Sequence, residues 1–173
     1  RILRETGTTV AHNVRSNTNN GVGICPAVRM MDAGVRVTLG GDGYTYDSFD
    51  ELSMAVMMQH LREQDPEVFS GRQVKDFTYG NISGLTEDVF GRAAGVIRPG
   101  ALADFLVLDY NEPVPLTGNN VFSHMTSGFS GHVRDVAVGG ELVVRGRRCT
   151  KIDEEKILTE CRSQAEKLWD RLG

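Results

Sequence analysis

The run Val37-Thr38-Leu39-Gly40-Gly41-Asp42-Gly43 constrains this chain more than any other stretch. A short apolar, β-branched segment that stops at two glycines suits a buried strand. Glycines on both sides let the backbone turn sharply and approach a neighbour closely. The one carboxylate of the run, Asp42, then stands at the mouth of that strand. Such a group is costly to bury unless it binds a metal, a proton or a cation, which makes Asp42 the first candidate for chemistry. The plainer alternative is a turn aspartate that caps a glycine loop.

The segments around this run repeat a pattern. Thr8–His12 reads as a strand that enters a polar loop, residues 13–23, rich in turn formers. Pro26 opens a helix over 27–33 that Gly34 closes, the usual placing of the two residues. Val35–Leu39 is the next strand, so strand, loop, helix and strand follow one another as in a parallel α/β unit. The apolar positions Leu52, Ala55, Val56 and Leu61 predict a helix over about 49–64, and helical pieces follow at 71–79 and 87–94 with a stop at Gly95. The composition changes at Pro99-Gly100. Strands are predicted at 103–109, 133–138 and 141–144, the last two joined by Gly139-Gly140 as a hairpin. Residues 151–172 close the chain as an amphipathic helix with Ile157, Leu158, Cys161, Ala165, Leu168 and Leu172 on one stripe; packing on its own domain is expected ahead of a partner-binding role.

The chain has 173 residues, a formal charge of −4 and a pI near 5.6. That balance argues against a nucleic-acid footprint, and no apolar run is long enough to span a membrane. The three cysteines are far apart and form no CxxC pair, so neither a disulfide framework nor a thiolate metal site is supported; a reducing cytoplasm fits best. The chain begins at Arg1 without methionine, inside what reads as a helix-to-strand connection, which suggests an excerpt of a longer protein. Two strand–helix units in the first hundred residues would be only part of a (β/α)₈ barrel, which needs about 250 residues.

Three stretches combine into a resemblance. Val10-Ala-His-Asn-Val-Arg-Ser-Asn, then Leu39-Gly-Gly-Asp-Gly, then Gly95-Val-Ile-Arg-Pro-Gly-Ala-Leu-Ala-Asp-Phe-Leu-Val-Leu-Asp, in this order, resemble the C-terminal part of the amidohydrolase superfamily, in its deaminase/chlorohydrolase branch. The segments after Asp42 and Asp109 are most similar to the aminohydrolases associated with selenium metabolism. The resemblance implies an α/β fold: residues 1–98 as the last two strand–helix units of a metal-dependent-hydrolase barrel, residues 99–149 as part of a small β-sandwich, and residues 150–173 as a C-terminal helix. It also implies a divalent metal, zinc by family expectation, held in part by Asp42. Asp42 would also take a proton from the attacking water and pass it to the leaving group. A bound metal acidifies its water to a pKa of about 7, and a carboxylate in reach can shuttle the proton.

The histidine ligands of that family lie on strands this chain does not contain. Since a catalytic zinc needs about three protein ligands, the chain is expected to be inactive alone and to serve a small-molecule substrate only within a complete barrel. Arg15, Ser16 and Asn17 follow the first strand on the rim where barrel sites lie; they contact substrate or hold the loop. Tyr44, Tyr46 and Asp47 follow Asp42 on the same rim; they contact substrate, or pack and cap the next helix. His12 is expected as a hydrogen-bonded strand residue rather than a ligand, and His60, His124 and His132 as structural. The alternative to an enzyme segment is a non-catalytic piece whose open edges complete a partner chain or form a homo-oligomer.

Overall fold

The computed structural model describes residues 1–127 and 131–173 and forms two compact units. The first holds residues 1–102 and the segment from Asn111 through Ser127. Its elements are α1 (Ile2–Glu5), β1 (Thr9–His12), α2 (Val14–Asn19), α3 (Ala27–Asp32), β2 (Arg36–Leu39), α4 (Ser48–Glu63), α5 (Gly71–Lys75), a π-turn over Asp76–Gly80, α6 (Asn81–Phe90) and α7 (Val121–Thr126). Strands β1 and β2 pair in parallel, Thr9 with Arg36 through His12 with Leu39, so their C-terminal ends open on one rim. The predicted parallel α/β unit is therefore present.

The core lies under these two strands. Val14, Ala27, Val28, Val37, Leu52, Ala55, Phe69, Val74 and Phe77 form one buried cluster, against which Val10 and Leu39 pack. Phe69 and Phe77 meet edge to face at 5.1 Å, the arrangement favoured by the ring quadrupoles. Because side chains alternate along a strand, Val10 and His12 share the face of β1 that meets this layer.

Three helical predictions change. Residues 14–19, predicted as polar loop, form α2. Asn, Ser and Thr favour turns in isolation, but Val14 and Ser16 are buried, and a carboxylate from α4 caps the first turn. The break predicted between 79 and 87 is absent: α5 runs through the π-turn and Gly80 into α6. The stop is Gly91, in the left-handed conformation at φ 66°, rather than Gly95; glycine takes that conformation at a helix end without a Cβ penalty.

The second unit spans residues 103–110 and 131–173. Strands β3 (Phe105–Asp109), β4 (His132–Val138), β5 (Glu141–Arg145) and β6 (Arg148–Cys149) form one antiparallel sheet in that order. Gly139 and Gly140 turn the predicted hairpin with φ of 59° and 85°, as a primed two-residue turn requires. Helix α8 (Glu154–Leu172) is N-capped by Asp153, whose carboxylate accepts from the Lys156 amide. The expectation that α8 packs on its own domain fails: no residue of the helix is buried, and Leu158, Leu168, Trp169 and Leu172 are exposed. No helix among the described residues is long and apolar enough to cross a membrane.

Candidate functional site

The rim is built from the ends of β1 and β2 and from the N-terminal turns of the helices that follow them. The Gly40 amide donates to the His12 carbonyl at 3.0 Å and extends the ladder by one bond. The chain then turns away at Gly41. Asn13 Oδ1 lies 2.0 Å from where a Cβ on Gly40 would stand, so a larger residue there would displace the Asn13 side chain.

Asp42 adopts φ 55°, the left-handed region, and its Oδ1 accepts from the Gly43 amide at 2.7 Å. A non-glycine residue there is uncommon, although aspartate tolerates it by bonding locally. The burial argument for Asp42 does not hold, because the residue is exposed; two glycines carry it past the packed layer. It lines a cleft of about 300 Å³ with Leu39, Gly40, Gly41, Thr45–Ser48 and Glu51.

The other candidates divide between the cleft and helix α2. Tyr46 and Asp47 line the cleft beside Asp42. Tyr46 is 97% exposed. Asp47 is the N-cap of α4, its Oδ1 accepting from the Phe49 and Asp50 amides at 2.9 and 3.2 Å, a standard capping geometry. The Tyr44 hydroxyl donates to Asn20 Oδ1 at 3.1 Å and accepts from Asn19 Nδ2 at 3.0 Å, tying the loop to the end of α2. Arg15, Ser16 and Asn17 sit on α2 itself. The Arg15 guanidinium pairs with Asp50 and reaches Glu51 Oε2 at 3.6 Å. Ser16 is buried, its hydroxyl facing Asn20 Nδ2 at 3.4 Å, and Asn17 is half-buried.

His12 departs from expectation. It is 3% exposed, and neither ring nitrogen has a hydrogen-bond partner among the described residues. The ring stands edge to face 6.4 Å from Phe77, on the apolar face of β1. Burial lowers its pKa, because desolvation disfavours the charged ring.

Two polar residues that the helical pattern hid are structural keys. Glu51 and Gln59 of α4 are 1% and 0% exposed. Glu51 Oε1 accepts from the Arg15 amide at 2.9 Å. Gln59 Oε1 accepts from the Val28 amide at 3.2 Å and its Nε2 donates to the Cys25 carbonyl at 2.9 Å. The N-cap residues of α2 and α3, Asn13 and Pro26, make no side-chain cap bond, so α4 caps both helices from outside. Spacing held the signal: Glu51, Ala55 and Gln59 are four apart and share a helix face.

A metal site needs several ligands held together. Among the described residues no three of His, Cys, Asp and Glu converge, and His12 faces Phe77 instead of the cleft. The described residues therefore do not make up a metal site by themselves; of the two exposed carboxylates lining the cleft, Asp47 caps α4, which leaves Asp42 as the candidate ligand.

The mixed α/β fold matches solved amidohydrolase-fold structures over part of their length, and the sequence comparison agrees. The amidohydrolase family model matches residues 1–143, and the chain belongs to that family. The 5'-deoxyadenosine deaminase of Methanococcus aeolicus is 31% identical over 175 residues, covering 99% of this chain and 39% of that protein. The 5-methylthioadenosine/S-adenosylhomocysteine deaminase of Thermococcus onnurineus is 35% identical over 151 residues, covering 84% of this chain and 35% of its own length. An adenosine deaminase from Xanthomonas campestris with bound zinc superposes at TM-score 0.82 and 23% identity, over 98% of this chain and 39% of that one. Atrazine chlorohydrolase from Arthrobacter aurescens, complexed with zinc, superposes at TM-score 0.73 and 20% identity, over 92% and 36%. The chain thus spans about two fifths of the length of the curated relatives it matches.

Proposed function

We propose that this chain is the Asp42-bearing portion of a metal-dependent aminohydrolase that hydrolyses a carbon–nitrogen bond of a small molecule, releasing an amine from a ring or amidine-like carbon. The observation that carries the reading is the placement of Asp42. It stands at the common end of two parallel strands, in a cleft, held in a left-handed backbone by its neighbours. Strained backbone at such a position persists only where the surroundings over-determine it. The relatives named as deaminases, and the two zinc-holding structures of the same fold, support the class of reaction and the metal. In this reading Asp42 would supply one oxygen ligand to the metal and would hold and move the proton. Residues 1–98 then belong to the barrel portion and residues 99–149 to the sandwich portion, except that 99–102 and 111–127 lie in the first compact unit. The exposed α8 stripe supports a homo-oligomer, which sedimentation velocity tests: a monomer at all concentrations refutes it.

The test of the reaction is complementation. The chain is mixed with a polypeptide matching the part of the Methanococcus relative that it does not span. Zinc content and ammonia release from 6-aminopurine nucleosides are then measured. Wild type is expected to gain both. Asp42→Asn preserves the acceptor for the Gly43 amide and tolerates the left-handed backbone, so it folds but loses both. Zinc uptake and ammonia release unchanged in Asp42→Asn would overturn the proposal.

A further inference from the structure

The loop that carries Asp42 is pinned at both ends to one short helix. At its start, Gly40 donates to the His12 carbonyl and lies against Asn13, the residue before α2. In its middle, the Tyr44 hydroxyl bridges the two asparagines at the end of α2. At its far end, α4 begins, and Glu51 in its first turn reaches back to the Arg15 amide and guanidinium. Only the last of these ties is both charged and buried, with the Glu51 side chain 1% exposed.

Glu51 supplies what α2 lacks. The first amides of a helix have no partner within it, and Asn13 does not turn its side chain to them. A carboxylate there is favoured twice, by the hydrogen bond and by the positive end of the helix. Glu51 also lines the cleft with Asp42, so one side chain both borders the cleft and bonds the first turn of α2.

We infer that Glu51 is a positioning residue: its carboxylate, bonded to Arg15, holds the Asp42 loop in the left-handed turn that presents the Asp42 carboxylate at the rim. This rests on the reading of Asp42 as the functional carboxylate. Aspartate takes that turn through its local bond with the Gly43 amide, so the turn loosens once one end of the loop is freed. Gln59 offers an internal comparison, because it caps α3 from the same helix but does not line the cleft.

The test is an amide NMR comparison of Glu51→Ala, Glu51→Gln and Gln59→Ala in the whole chain. In Glu51→Ala the Arg15 amide is expected to exchange about tenfold faster, the loss of one charged hydrogen bond. The Gly43 amide proton, bonded to Asp42 Oδ1, moves toward its random-coil position. In Gln59→Ala the Val28 amide exchanges faster and Gly43 stays where it was. An unmoved Gly43 signal in Glu51→Ala, or an equal shift in Gln59→Ala, overturns the inference. If Glu51→Ala does not fold, Glu51→Gln decides. It keeps an acceptor for the Arg15 amide but loses the ion pair, so Arg15 stays protected while Gly43 shifts; no shift overturns the inference. Zinc content after complementation is read separately, and Glu51→Ala is expected to retain less zinc than wild type. Absence of zinc from the complemented wild type refutes the functional reading and leaves the amide result standing.

Discussion

Replacing His12 by leucine is expected to stabilise the chain, and to do so more at acidic pH. The ring is 3% exposed and both nitrogens are without partners among the described residues. An unpaired buried polar group costs about 1–3 kcal/mol. Leucine removes that cost and keeps a similar volume, but gives up the edge contact with Phe77, worth about 0.5–1.5 kcal/mol. The net gain is therefore about 1 kcal/mol near pH 8, or about 2–4 °C in Tm for a domain of this size. Burial lowers the folded-state pKa of His12, while the unfolded chain takes up its proton near pH 6.5. As pH falls below that value the unfolded state binds the extra proton, and wild-type stability drops by up to about 1.4 kcal/mol per pH unit until the folded-state pKa is reached. The leucine variant lacks this loss, so its advantage widens between pH 8 and pH 5.5. Urea melts of both proteins at the two pH values measure it. A variant less stable than wild type at pH 8, together with an unchanged difference at pH 5.5, would refute the reasoning and mean that the imidazole has a partner.

Gly40→Ala is expected to displace the Asn13 side chain, whose Oδ1 stands at the Cβ position, at about 1 kcal/mol; adding Asn13→Ala should recover much of it in a denaturant series. Gln59→Leu leaves the Val28 amide and the Cys25 carbonyl without their side-chain partner, at about 2–4 kcal/mol from two bonds, seen as a lower urea midpoint with unchanged slope. Phe77→Ala, at a fully buried position, should cost about 3–5 kcal/mol in the same measurement.

The elements that depend on local chemistry were legible. Both rim strands, the Pro26-to-Gly34 helix, the long helix after Asp42 and the Gly139-Gly140 hairpin follow from periodicity and turn residues, and each lies within a few residues of its predicted place. Helix α2 was not legible, because its Asn, Ser and Thr content reads as loop and its stability comes from a cap supplied 36 positions away. The run through Gly80 was missed for a similar reason: Val74 and Phe77 are buried in the core, and that packing outweighs the glycine.

By itself, the sequence determined that a glycine-bounded carboxylate, Asp42, ends a strand in an amidohydrolase pattern. That depends only on residue types and their order. The tertiary structure alone decided that Asp42 is exposed and left-handed, that His12 lies unpartnered against Phe77, and that Glu51 and Gln59 cap helices they do not adjoin in sequence. Each of these is a matter of which groups meet across distant segments. A hydrogen bond or a desolvated nitrogen exists only once the chain has brought those segments together.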